Sequence, residues 1–112
     1  MVYDYRFLFA EIEKTMSVNP MIHLRDLSEQ LQCSHPIVEK AVTLETGFNF
    51  REYKNIKILE RCLDLWSQGN CVKYIALELG YKWPDNFSRF FKNITGFSLT
   101  EVNRTTLEPP GL

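Results

Sequence analysis

The chain has 112 residues, 45% of them hydrophobic, with 13 Lys and Arg against 14 Asp and Glu for a net charge of −1. That composition suits a packed core in one compact domain or two very small ones, and excludes a disordered or low-complexity chain. No apolar run approaches the roughly 18 residues of a membrane span, and the first six residues lack the basic-then-apolar layout of a signal peptide.

Helical periodicity runs through the chain. Tyr5, Leu8, Phe9, Ile12 and Met16 recur at spacings of three and four, one face of an amphipathic helix that Asn19-Pro20 stops. Leu24, Leu27 and Leu31 form a second, short stripe, with His23 at its start. Ser34 has the chemistry of an N-cap, with Pro36 in the first turn of a third helix whose apolar side is Ile37, Val38, Ala41, Val42 and Leu44. Gly47 is its expected stop. Asn49 and Glu52 stand in capping-box spacing at the head of a long helix. Its stripe runs Phe50, Tyr53, Ile56, Ile58 or Leu59, Cys62, Leu63, Leu65 and Trp66, and Gly69-Asn70 breaks it.

Asn70 is the expected cap of a fifth helix with Val72, Ile75, Ala76 and Leu79 inward, ended by Gly80. After the turn Tyr81-Lys82-Trp83-Pro84, Asp85 caps a sixth with Phe87, Phe90, Phe91 and Ile94, which Gly96 terminates. Trp83 is expected to cover the core or pack at its edge, with a place beside a binding face as the alternative. A second capping box, Ser98 with Glu101, predicts a seventh helix. No strand alternation and no Asn-Gly or Asp-Gly hairpin turn stands out. The fold class expected is all-α. Residues 1–48 form a first helix pair with its supporting helix, 49–68 a linker helix, 69–106 a second such subdomain and 107–112 a flexible tail.

Few features suggest chemistry. Cys33-x-His35 has no second pair at zinc spacing, so no metal site is expected. Cys62 and Cys71 suit small buried apolar positions, and three cysteines in helical patterns favour a reducing, cytoplasmic setting over a disulfide framework. No nucleophile triad, glycine-rich phosphate loop or paired acids occur in a catalytic context, so neither an enzyme nor a cofactor is expected. No heptad run or large apolar face stands out, which predicts a monomer. Charge is uneven. Residues 1–48 hold four basic and seven acidic side chains, a net of −3, and residues 49–112 nine and seven, a net of +2. A polyanion would favour the second part.

The most informative feature is an internal echo. Leu27-Ser28-x-x-Leu31-Gln32-Cys33 precedes a turn and a helix, and so does Ile75-Ala76-x-x-Leu79-Gly80-Tyr81. A bulky residue followed by a small one lets a second helix cross closely over the first, as a helix-turn-helix requires. The second helix is then free to enter a major groove about 12 Å wide.

The stretch Ile75-Ala76-Leu77-Glu78-Leu79-Gly80-Tyr81, then Phe87-Ser88-Arg89-Phe90-Phe91-Lys92, then Gly96-Phe97-Ser98 resembles the AraC/XylS transcription-regulator signature. Leu27 to Ser34, Glu45-Thr46-Gly47, Phe50, Tyr53 and Cys62 extend the resemblance over about residues 5–104. In length the chain is similar to stand-alone two-motif members or to an excised DNA-binding domain. The resemblance implies double-stranded DNA as partner, with the third and sixth helices in successive major-groove segments and RNA polymerase or another regulatory protein as a further partner. It places Ser34, His35, Pro36, Glu39 and Lys40 on one outward face. It places Lys82, Trp83, Pro84, Asp85, Asn86 and Arg89 on the other, with Lys92 and Asn93 toward the DNA backbone.

The chain departs from the family pattern at Gln32 (a common turn Gly), Lys40 (usually Arg), Val42 (Phe), Ile58 (Arg), Leu99 (Pro) and Val102 (Tyr). Glu39 stands where an uncharged or basic reader is common. The second motif is therefore expected to supply most of the affinity. The rival expectation is a protein-interaction module on the same fold with weak DNA binding of its own.

Overall fold

The computed structural model describes residues 4–111. Among them lie six α-helices and no strand: α1 Tyr5–Val18, α2 Leu24–Leu31, α3 His35–Thr46, α4 Phe50–Ser67, α5 Val72–Glu78 and α6 Pro84–Thr95. Contacts divide the chain into two compact units, one running to Ile58 and the other from Leu59, so the division falls inside α4.

In the first unit, the Asp4 carboxylate accepts the backbone N–H groups of Arg6 and Phe7 and starts α1. Leu8, Ile12 and Met16 of α1 bury against Leu27 of α2, Val38, Ala41 and Val42 of α3, and Phe50 and Tyr53 of α4. Two lysines secure α4 here. Lys54 Nζ donates to the carbonyls of Met21 and Ile22 at 3.4 and 3.1 Å. Lys57, itself buried, lies 3.5 Å from Glu13 of α1.

In the second unit, Cys62, Leu65 and Trp66 of α4, Ile75 and Ala76 of α5, and Phe87 and Phe91 of α6 are buried with Leu99 and Val102. Tyr81 meets Phe87 edge-on at 5.5 Å, and Phe91 meets Phe97 at 6.0 Å. Burial pushes the Cys62 thiol up to about 12 and raises Tyr81 above its ordinary value, with Cys62 nearby adding to the latter.

The sequence echo is matched atom by atom. In the first unit, the Cys33 N–H reaches the Ser28 carbonyl at 3.0 Å and the Gln32 N–H the Glu29 carbonyl at 3.2 Å. In the second, Tyr81 reaches Ala76 at 2.9 Å and Gly80 reaches Leu77 at 3.0 Å. Both are Schellman closures, which require a left-handed residue. Gly80 supplies it with φ +97°, whereas Gln32 adopts φ +56° despite its Cβ. The exits match too. Thr46 and Thr95 each donate from Oγ1 to the carbonyl four residues back, at 2.7 Å in both cases, just before Gly47 and Gly96.

A capping box follows each exit: Asn49 with Glu52, and Ser98 with Glu101. The first opens the 18-residue α4, but the second opens only a 3₁₀ turn, Leu99–Glu101. The expected seventh helix is therefore a single turn. Val102 takes extended backbone and is buried, while its carbonyl accepts the Trp66 indole N–H at 3.0 Å. Arg104 then lies flat on the Trp66 ring, 3.4 Å from its centre, and donates to the carbonyls of Trp66 and Asn70 at 2.8 Å each. These contacts hold the chain where a helix would have continued. The segment after it folds back, with Leu107 and Pro109 lining an apolar recess beside Leu59, Leu63 and Phe91.

Other local expectations shift for identifiable reasons. Cys71, not Asn70, is the N-cap residue of α5, because the Asn70 amide donates to the Leu65 carbonyl and closes α4 instead. Trp83 is the N-cap residue of α6, and Asp85 stands within its first turn. Cys71 is exposed rather than buried. Leu44 and Ile94, expected inward, are 59% and 45% exposed, because the buried stripes of α3 and α6 end at Val42 and Phe91.

Candidate nucleic-acid interface

Each unit turns one face of its last full helix outward. In α3, Val38 and Val42 are buried one turn apart, and His35, Pro36, Glu39 and Lys40 project on the other side. In α6, Phe87 and Phe91 are the anchors, and Asp85, Asn86, Arg89, Lys92 and Asn93 project. Helical geometry forces this, since residues three and four apart share a face, so Ala41 is buried with Val38 and Val42, while His35, Pro36, Glu39 and Lys40 lie off that stripe. Lys40 and Arg89 stand in equivalent places, two residues after the first anchor.

All eleven residues expected at the interface are exposed: Ser34, His35, Glu39, Lys40, Lys82, Trp83, Asp85, Asn86, Arg89, Lys92 and Asn93. Ser34 holds the N-cap position but makes no side-chain cap hydrogen bond. Trp83 is 61% exposed, so the core-edge expectation gives way to a surface ring, over which Lys82 Nζ sits at 5.6 Å. Trp83 holds the N-cap position of α6 with extended backbone. Lys40 Nζ lies 5.4 Å from the centre of the Tyr5 ring, a cation–π placement that steadies it over α1. Among the described residues, Glu39, Asp85 and Arg89 meet no hydrogen-bonding or ion-pair partner.

The charge asymmetry changes when drawn along the structural units. Up to Ile58 there are seven basic and eight acidic residues, and from Leu59 six of each, giving −1 and 0. Arg51, Lys54 and Lys57 belong to the first unit, and the latter two are tied down there. The positive excess survives only locally. On α6 and its lead-in, Lys82, Arg89 and Lys92 face solvent with Asp85, whereas α3 offers Lys40 against Glu39.

Among the described residues no three His, Cys, Asp or Glu side chains gather to hold a metal, and no helix is long and apolar enough to cross a membrane. Two compact helical units, each with an exposed polar face on a helix that follows a short turn, carry a helix-turn-helix pair apiece. A family model described as "Helix-turn-helix domain" matches residues 27–105, spanning both. The chain belongs to the AraC-type helix-turn-helix family.

Solved structures similar to this AraC-type domain include the C-terminal domain of AraT, a response regulator from Geobacillus stearothermophilus. The match has 23% identity and a TM-score of 0.70, covering 94% of this chain and 85% of that one. The C-terminal domain of the two-component response regulator yesN from Fusobacterium nucleatum matches at 21% identity and TM-score 0.68, covering 86% and 94%. A DNA-binding transcriptional dual regulator from Escherichia coli K-12 matches at 20% and 0.65, covering 90% of each chain. At such identity the likeness is one of fold. No functionally curated protein matches the chain.

Three residues that shape this AraC-type domain escaped the sequence reading. Tyr5 lies in a helical stripe, and nothing in sequence ties it to Lys40, 35 positions on. Lys54 reads as a solvated lysine, although burial lowers its basicity and two carbonyls receive it. Arg104 reads as a helix-surface residue, yet it closes the end of α4. Nothing in the sequence pointed to it, because the capping box of Ser98 and Glu101 predicts a helix there.

Proposed function

We propose that this AraC-type domain is a sequence-specific double-stranded DNA-binding module of a bacterial transcription regulator. In this reading α3 and α6 enter successive major-groove segments. It acts in the cytoplasm and is a monomer in solution, with RNA polymerase or another regulatory protein as a further partner. No chemistry is carried out on the bound molecule. The observation that carries the reading is Arg89: an exposed guanidinium without a protein partner, on a helix face backed by Phe87 and Phe91. Its planar fork matches the O6 and N7 acceptors of guanine. Lys82 and Lys92 flank it as phosphate neutralisers, and Trp83 gives the helix start an apolar contact surface.

The near-neutral charge of both units favours one rival, a regulatory module that binds protein and has little DNA affinity of its own. Titration of the purified chain against selected and scrambled duplexes at several salt concentrations decides between them. DNA binding predicts a log–log salt slope near −0.9 per neutralised phosphate and a preference for selected sequence. No binding at low salt puts the interaction module first.

A further inference from the structure

We infer that Asp85 and Glu39 each read a cytosine, so that the preferred duplex carries a C·G pair in each of the two segments the helices enter. This rests on the DNA-binding reading above and names the class of sequence it selects. Both carboxylates are exposed on the faces that carry Arg89 and Lys40. Neither meets a hydrogen-bonding or ion-pair partner among the described residues. Asp85 stands in the first turn of α6 but accepts no backbone N–H there, so helix capping does not use it. Its favourable interaction with the helix dipole is available to any acidic residue of that turn and leaves both oxygens open.

A bare carboxylate brought against a polyanion has two outcomes. Against phosphate it is repelled. Against a base edge it can only accept, and the major groove offers two donors, the amines of cytosine and adenine. Adenine presents its amine beside the N7 acceptor, which would face the second carboxylate oxygen. Cytosine presents its amine beside a C–H. Thymine O4 and guanine O6 and N7 are acceptors and exclude a carboxylate. Cytosine is therefore the base that satisfies Asp85 and Glu39 at least cost.

The neighbouring cations sharpen the pattern. Residues four apart on a helix lie about 6 Å from each other, and base pairs rise by about 3.4 Å. Asp85 and Arg89 thus address a cytosine amine and a guanine acceptor edge within about two base-pair steps. On α3, Glu39 and Lys40 are consecutive and point in different directions, so there the acceptor and the donor address separate positions of the segment.

Selection from a randomised duplex library with the wild-type chain, Asp85→Asn and Glu39→Gln tests this. Both substitutions keep side-chain size on an exposed face, so folding is retained, and circular dichroism checks it. The wild type should select cytosine at one position in each segment. Asp85→Asn should lose that preference in its own segment only and move toward adenine, whose N6 and N7 suit an amide. Glu39→Gln should do the same in the other segment. Replacing the selected cytosine by 2-pyrimidinone, which lacks the amine, should cost the wild type on the order of tenfold in affinity. The matching variant should lose far less.

Unchanged sequence preferences in both variants overturn the inference. So does a uniform gain in affinity for all duplexes, which would mean the carboxylates only repel. A wild type that binds duplex without cytosine preference overturns it while leaving DNA binding intact. A wild type that binds no duplex at low salt removes both readings together.

Discussion

Ser28→Ala should make this domain more stable. Ser28 is buried on α2, and its Oγ has no hydrogen-bond partner. A buried hydroxyl left unsatisfied costs about 1–3 kcal/mol. Alanine removes that cost and gains a few tenths, roughly 0.4 kcal/mol, in helix propensity. The void left by one oxygen takes back roughly 0.3 kcal/mol. The balance is a gain of about 1–3 kcal/mol, or roughly 4–13 °C in melting temperature for a chain of this size. The second unit supports the figure, because Ala76 fills the equivalent position and is fully buried with the same backbone closure. Ala76→Ser should cost a similar amount.

The assay needs two signals. Both tryptophans, Trp66 and Trp83, lie in the second unit, so fluorescence reports that unit and far-ultraviolet circular dichroism reports all helices. Ser28→Ala should raise the dichroism midpoint in heat and urea. It should shift fluorescence equally only if the two units unfold together. A fall in the dichroism midpoint would refute the reasoning, and would mean that Oγ is bonded to a carbonyl of the preceding turn.

Gln32→Gly should stabilise the first unit by about 0.5–1 kcal/mol in urea denaturation, since it relieves a left-handed backbone carrying a Cβ. Arg104→Met keeps an apolar contact with Trp66 but removes two hydrogen bonds from a charged donor. A loss of about 1–3 kcal/mol by the Trp fluorescence midpoint is expected. Arg89→Ala should leave both unfolding transitions in place, cost about 1–3 kcal/mol in affinity for a selected duplex and relax preference at one base position. Cysteine alkylation mapped by mass spectrometry at pH 8 should modify exposed Cys71 first and spare Cys62, whose thiol stays protonated until about pH 12. Glu101 is held below its ordinary 4.5, first by the Ser98 hydroxyl and then by the Ser98 backbone N–H, with desolvation opposing. Its stabilising effect is present above that ordinary value and fades as pH falls through the lowered one. Glu101→Gln should therefore flatten the loss of stability below about pH 4.5 and leave neutral pH nearly unchanged.

The sequence by itself determined the helices and their order. Periodic apolar residues, the prolines in the first turns of α3 and α6, and the stops at Asn19, Gly47 and Gly96 are local signals, and each depends on a few residues along one helix. It also determined the outward faces of α3 and α6, because Val38, Val42, Phe87 and Phe91 fix which side is buried. Tertiary structure decided what local signals leave open. Two nearly identical capping boxes open a long helix and a single turn, because Arg104 is drawn onto the Trp66 ring and the end of α4. The charges of the linker helix look like free cations until Lys54 and Lys57 fold into the first unit, which erases most of the imbalance between the two parts of the chain. Trp83 could face core or solvent by composition alone, and in the fold it is 61% exposed at the start of α6. Each of these outcomes depends on partners tens of residues away or on the path of the backbone, and helical periodicity carries neither.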